Sequence, residues 1–358
     1  MVLSRYLWPL ILGAGLTAAC VPGAVFLGRR LGAVDQPGGR RINERPVPRL
    51  GGLAIAAGFL VALAFLPDRD RTMLPLVLAG ALAYLLGFLD DLRGLRPGLK
   101  LAGQIAIAAI LPACGVAVRF LSNPWGGMFS LGWLAWPATI VWVVALMNMV
   151  NLTDGLDGLA AGITAIAAAS LLFLPQCYQR PFVATLCLLT IGCTLGFLPF
   201  NFHPARTFMG DGGAYFLGFV LGFITVTGAL KGRAALTLSL PLLALAVPFF
   251  DTASAVLRRW RKGQPVFEAD RDHLHHRLLF AGLSHRRSVL VLYLSSAVFG
   301  IGSNFAARLG ARSGTALLLG MAACAALGIR RLERAGNGTG RSGDGVAPPA
   351  GGGKSASL

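Results

Sequence analysis

A chain of 358 residues that is 55% hydrophobic and only 13% charged is not an ordinary soluble domain, in which roughly a quarter of residues carry charge. Its long apolar runs, broken by short polar loops, call for a lipid bilayer around them. A net charge of +17 would suggest nucleic acid in a soluble protein; in a membrane protein it is a topology signal and an attraction to anionic headgroups, so no nucleic-acid partner is expected.

Eleven apolar stretches read as transmembrane helices, at about 7–28, 50–66, 73–89, 99–118, 129–147, 157–174, 182–198, 212–230, 235–256, 288–307 and 314–330. With the N-terminus outside, the inward loops 29–49, 90–100, 199–211, 257–287 and 330–358 hold 23 of the 32 Lys and Arg residues. Basic residues collect on the cytoplasmic side, so this orientation is expected, with the C-terminus inside. The segment ending LTAAC at Cys20 faintly resembles a cleavable signal. Cleavage would export the loop holding Arg29, Arg30, Arg40, Arg41, Arg45 and Arg49, against the charge bias, so the segment reads as the first helix. The fold class is therefore all-α: a polytopic membrane protein with one integral-membrane domain over 1–335. A Gly-, Ser-, Ala- and Pro-rich tail, 336–358, is expected to be disordered. Six cysteines without a CxxC pair indicate neither a zinc site nor a disulfide framework.

Five of the chain's 15 acidic residues fall in three short loops that this topology places on one side of the membrane. Ionisable groups at a membrane boundary are costly and mark functional sites. The first loop, DDLRGLRPGLKLAGQ, carries Asp90 and Asp91 at a helix C-terminus. Adjacent helical residues point about 100° apart, so one carboxylate can face a substrate while a partner holds the other. Lys100 and Gln104, four residues apart, share a face of the following helix. A plain solvated turn bridged by Arg93 or Arg96 is the bland alternative.

The next loop has a period of three: Asn148, Asn151, Asp154 and Asp157. Successive members drift by only about 60° around a helix, so all four are expected to line one wall. Gly155 and Gly158 leave the backbone open to a ligand. Four oxygen-bearing side chains suit a hard cation or a nucleotide's hydroxyls and diphosphate; Asx turns and a helix cap would account for one or two of them. Asp211, in MGDGG, opens a helix and taken alone reads as an N-cap. It gains weight from Asn201, His203 and Arg206 just upstream. The fifth inward loop holds His273, His275, His276 and Arg277, a cluster suited to a diphosphate.

DDLRGLRPGLKLAGQ, NMVNLTDGLDGLAAG, GFLPFNFHPARTFMGDGGAYFLGF and DRDHLHHRLLFAGLSHR resemble, in order, the four signature loops of the polyprenyl-phosphate N-acetylhexosamine-1-phosphate transferases. The resemblance runs from about Asp35 to Arg287. It implies a multi-helix enzyme of the bacterial inner (plasma) membrane that transfers a sugar-1-phosphate from a UDP-N-acetylhexosamine to undecaprenyl phosphate and releases UMP. His-Leu-His-His-Arg at 273–277 resembles the branch using UDP-N-acetylglucosamine. The branch using UDP-N-acetylmuramoyl-pentapeptide, the alternative, carries three consecutive histidines. By the same resemblance Asn151 and Asp211 are metal ligands for Mg²⁺, with Mn²⁺ as a substitute, and Asp90 and Asp91 are the catalytic pair. Lys100, Asn148, Asp154, Asp157, Asn201, His273, His275, His276 and Arg277 are expected to bind nucleotide sugar and phosphates. A homodimer is compatible with this family. One departure is Asn43, where the family's first loop often carries histidine.

An ion-coupled transporter is the competing class, since intramembrane acids also mark ion pathways. It would place carboxylates near the bilayer midplane on helices broken in paired halves. The acids here cluster toward one face and the chain shows no repeat; Asp251 is the one acid that could sit deeper.

Overall fold

The computed structural model describes residues 2–36, 46–66, 70–122, 128–173, 180–229, 283–309 and 311–339. Ten helices carry this part of the chain: α1 Val2–Arg30, α2 Gly51–Ala64, α3 Met73–Arg93, α4 Pro97–Ala113, α5 Ala135–Thr153, α6 Leu159–Leu172, α7 Pro181–Asn201, α8 Gly210–Ala229, α9 His285–Arg308 and α10 Ala311–Thr339. They match ten of the eleven expected segments; the segment at 235–256, with Asp251, lies outside the described residues, as does the loop of His273, His275, His276 and Arg277. Six helices are long and apolar enough to cross a membrane, while α2, α4 and α6 are shorter apolar helices. The chain is a mostly helical, multi-pass membrane protein.

Two short antiparallel ladders interrupt the helical pattern. Val34–Asp35 (β1) pairs with Val47–Pro48 (β2), with Asp35 opposite Val47. Phe120–Ser122 (β3) pairs with Met128–Ser130 (β4), and a single 3₁₀ turn over Gly132–Leu134 leads into α5. That ladder is why α5 starts six residues later than the apolar pattern at 129–147 suggests. Its end shifts correspondingly, so Asn148 and Asn151 lie in the last turns of a helix rather than in a loop.

Of the six described helices long and apolar enough to cross a membrane, α8 is the most enclosed, with 94% of its apolar window buried against 22% for α1. Around it pack α2, α3 and α5; α1 lies along α2 and α7, α6 joins α7 to α9, and α4 fits against α3 and α5. Phe59 of α2 meets Phe216 of α8 edge to face, with centroids 5.4 Å apart. Trp142 of α5 donates from Nε1 to Thr225 Oγ1 of α8 at 2.8 Å, the kind of interhelical hydrogen bond that locks helices where no water competes. Glycines permit the closest crossings. A Cβ on Gly52 would fall 2.3 Å from Gly213 Cα, and one on Gly87 would fall 2.3 Å from Asp211 O. The first turn of α8 can therefore lie directly against both α2 and α3.

Candidate active site

Among the described residues, the C-termini of α3, α5 and α7 and the N-termini of α2, α4, α6, α8 and α9 gather at one end of the bundle. At their centre Asn151 Nδ2 donates to Asp211 Oδ1 at 2.7 Å, joining α5 to α8. Lys100, from the first turn of α4, forms an ion pair with Asp90 Oδ2, and its Nζ is 3.9 Å from Asp211 Oδ2. One ammonium thus sits between two carboxylates. Asp90 is held on its other oxygen by the backbone N–H of Leu95 at 2.8 Å. Its side chain is 2% exposed, whereas that of Asp211 is 27% exposed. Asp211 can meet a ligand; Asp90 stands behind it and fixes Lys100.

The neighbouring acid has a different task. Asp91 accepts the backbone N–H of Asp211 at 3.0 Å through Oδ1 and that of Gly212 at 3.1 Å through Oδ2. These N–H groups have no partner within the helix, and a carboxylate across them satisfies the positive end of α8. Asp91 is thus the N-terminal clamp that the residue type of Asp211 had suggested for Asp211 itself. Gly210, at φ 70°, allows the tight entry: a Cβ there would lie 2.2 Å from Arg49 O and 2.6 Å from Asp91 Oδ2. The strand-like run leading to Asp211 is stitched to the start of α2 by Phe208 N–H to Pro48 O, Gly51 N–H to Phe208 O and Gly52 N–H to Met209 O, at 2.8–2.9 Å. Arg49 enters the site through this stitching, 3.9 Å from Asp35, and forms with Lys100 a second cation near the acidic cluster.

The period-three set does not form a continuous wall. Asn148 and Asn151 lie on α5, Asp154 caps it, and residues 154–158 turn into α6, whose N-cap Gly158 adopts φ 83°. Asn148 donates to Gln104 Oε1 at 2.8 Å, so α4 supplies a polar partner as well as Lys100. Asp154 faces the other acids: burial, then the charges of Asp211 and Asp91, push its carboxyl up to about 7. Asp157 turns to His203, whose Nδ1 is 2.8 Å from Asp157 Oδ2, while the Asp157 backbone N–H donates to His285 Nε2 at 3.0 Å. The two imidazoles stack with centroids 4.2 Å apart. One ligand atom from each of Asp157, His203 and His285 lies within 4.8 Å of the others, a second candidate cation site among the described residues.

Asn201, expected near a nucleotide, is only 1% exposed. Its Oδ1 accepts the Gly158 N–H at 3.1 Å and its Nδ2 donates to Thr207 O at 3.0 Å, so it braces two loops and both its polar atoms are committed. Three contributors were not singled out from the sequence. Arg49 appeared only as one charge in a basic loop. His285 is brought to Asp157 from 128 residues away. Tyr293 donates to Gly158 O at 2.5 Å, fixing the turn before α6.

Hard oxygen donors at Asp211 and Asn151, close to a second carboxylate, fit a hard divalent cation better than a soft metal, which would favour thiolates or imidazoles. Two like charges this close need a cation between them, and Lys100 supplies part of that compensation.

A family model described as glycosyl transferase family 4 matches residues 73–229, which hold Asp90, Asp91, Lys100, Asn151 and Asp211. The chain is 39% identical over 274 residues, 76% of each chain, to a Bacillus subtilis protein named a probable undecaprenyl-phosphate N-acetylglucosaminyl 1-phosphate transferase. It is 36% identical over 344 residues to the decaprenyl-phosphate N-acetylglucosaminephosphotransferase of Mycobacterium tuberculosis, covering 86% of this chain and 85% of that one. To the undecaprenyl-phosphate alpha-N-acetylglucosaminyl 1-phosphate transferase of Salmonella typhi it is 26% identical over 295 residues, 78% of this chain and 79% of that one. With signature residues gathered at one site and similarity extending over three quarters or more of its length, the chain belongs to glycosyl transferase family 4.

Proposed function

We propose that this protein transfers N-acetylglucosamine-1-phosphate, or a related N-acetylhexosamine-1-phosphate, from a UDP-sugar to undecaprenyl phosphate. The observation that carries the reading is the Asn151–Asp211 pair with Lys100 between Asp211 and Asp90. Oxygen ligands for a hard cation and a fixed ammonium meet at one helix-end recess, as a reaction between two phosphate-bearing substrates requires. An acceptor phosphate oxygen attacks the β-phosphorus of the UDP-sugar; the bond from that phosphorus to the bridging oxygen breaks, and UMP leaves with the electron pair. Positioning and charge neutralisation supply most of the catalysis in such a transfer.

Asp211 and Asn151 would hold Mg²⁺, which when bound neutralises charge on the diphosphate. Lys100 is placed to neutralise an incoming phosphate. Asp90, buried and paired on both oxygens, is a positioning residue that holds Lys100 beside Asp211. Asp91 sets Asp211 through the backbone. Asn148, Asp154 and Asp157 line the approach for the nucleotide sugar, and His273, His275, His276 and Arg277 are assigned to phosphate contact on the sequence resemblance. The eleven-helix topology over 1–335, with the recess facing the cytoplasm across the bacterial inner membrane, is part of the same proposal, because UDP-sugars are cytoplasmic.

The test is transfer of radiolabelled sugar phosphate from a panel of UDP-sugars to undecaprenyl phosphate by the purified full chain, with and without Mg²⁺. Lipid-linked product from UDP-N-acetylglucosamine, dependent on the cation, is expected. Product from none of the panel would refute the proposal.

A further inference from the structure

The opposite end of the bundle carries a feature that the transferase reading does not use. There α4 ends, the β3–β4 ladder folds over, and α5 begins, some 28 Å from the carboxylates by the length of α5's 19 residues. Between them lies a cavity of about 200 Å³, lined by Pro112, Ala117, Arg119, Phe120, Ser130 and Trp136 among others. Its walls are held by main-chain bonds: Leu131 N–H donates to Arg119 O at 2.9 Å, and Val118 N–H donates to Thr139 Oγ1 at 2.9 Å. Arg119 is exposed and makes no ion pair with any described residue. Nor does its neighbourhood in sequence offer one, since no acidic residue occurs between Asp91 and Asp154.

The surroundings are those of a membrane interface. Phe129 is 57% exposed and Trp133 80% exposed, with Met128 and Trp136 also open on the same rim. Aromatic side chains of this kind settle at headgroup level, where one edge meets acyl chain and the other meets water. A guanidinium with no ion-pair partner among the described residues, beside them at the mouth of an apolar-walled cavity, is complementary to a phosphate attached to hydrocarbon rather than to a free ion.

We propose that this cavity binds an anionic phospholipid of the leaflet opposite the carboxylate site, its headgroup phosphate on Arg119 and its acyl chains along Trp136 and the β3–β4 rim. The site is separate from the transfer chemistry, so its test does not depend on turnover. Full-length protein in nonionic detergent is titrated with phosphatidylglycerol, with phosphatidylcholine or with inorganic phosphate. Thermal unfolding is followed, and retained lipid is counted by native mass spectrometry. Phosphatidylglycerol is expected to raise the unfolding midpoint by several degrees and to be retained at one or two copies, with phosphatidylcholine and inorganic phosphate much weaker. Arg119→Gln should lose most of that shift, and Ser130→Trp, which fills the cavity mouth and keeps the charge, should lose it too. Arg308→Gln, which removes an exposed arginine from the same end of the bundle, should keep it. An equal response to phosphatidylglycerol in the wild type and in both cavity variants would overturn the proposal. So would equal stabilisation by inorganic phosphate, which would mean a bare anion site without a lipid.

Discussion

Replacing Asp91 separates a residue that performs chemistry from one that builds the place where chemistry happens. Its carboxylate receives two backbone N–H groups, from Asp211 and Gly212, at 3.0 and 3.1 Å. A hydrogen bond to a charged acceptor contributes about 1.5–3 kcal/mol, and these two are of ordinary length, so Asp91→Ala should cost about 3 kcal/mol. Asp91→Asn keeps one acceptor oxygen and loses the charge facing the helix N-terminus, which should cost about half as much, ~1.5 kcal/mol. An energy of that size corresponds to about tenfold in an equilibrium or a rate. Asp91→Asn is therefore expected to remain active, with its Mg²⁺ half-saturation raised about tenfold because Asp211 is displaced rather than removed. Asp91→Ala should be much less active and clearly less stable. The assay is transfer measured across a Mg²⁺ series, paired with unfolding in detergent. If Asp91→Asn were inactive at every Mg²⁺ concentration while unfolding like the wild type, Asp91 would be reacting with substrate and the clamp would be the wrong description.

Asp211→Asn should abolish Mg²⁺-dependent transfer while the protein still inserts and folds, since a hard-cation site loses its charged ligand and with it several kcal/mol of transition-state stabilisation; near-normal turnover at saturating Mg²⁺ would reduce Asp211 to a helix residue. Asp90→Asn should lower kcat more than it raises KM for the UDP-sugar, because it frees Lys100 from its place beside Asp211; a change confined to KM would move Lys100 to nucleotide binding. The Asp154 carboxyl, pushed up from 3.8 to about 7, is largely protonated in the metal-free protein below neutrality. The folded state then binds the proton more tightly than the unfolded chain does, so this group's contribution to metal-free stability is present at low pH and falls as pH rises from about 4 to 7. A cation must displace that proton, so Mg²⁺ affinity should climb over the upper part of that window, and Asp154→Asn should flatten the climb; a pH-independent affinity in the wild type would contradict this. Single cysteines at Ser284 and Arg71, in a background lacking the native six, should report orientation in intact cells: an impermeant thiol reagent is expected to label position 71 and spare position 284. Labelling at 284 would turn the recess away from the UDP-sugar pool.

Hydropathy alone determined that the chain is a helical membrane protein, because each span must satisfy its own backbone in lipid, and this constraint is written locally in runs of apolar residues. The chemistry-bearing residues were equally legible, since acids and amides are rare in such runs and stand out at their ends. Their division of labour was not. Asp90 and Asp91 are adjacent and alike, yet one holds Lys100 and the other holds the backbone of α8. The difference arises from a 100° turn of helix and from what α4 and α8 happen to place on each side. Asn148, Asn151, Asp154 and Asp157 share a period, but α5 ends at Thr153 with Asp154 as its C-cap, so the last two stand in the turn before α6 and the period cannot act as one wall. His285 stands at the end of the fourth signature stretch but was not singled out there, and Tyr293 gave no signal; their partners at Asp157 and Gly158 lie 128 and 135 residues away, and only the packing of α9 on α6 brings them together. Residue types and helix ends are properties of the local sequence; which side chain meets which is decided by how the helices cross, through contacts as small as a missing Cβ at Gly87.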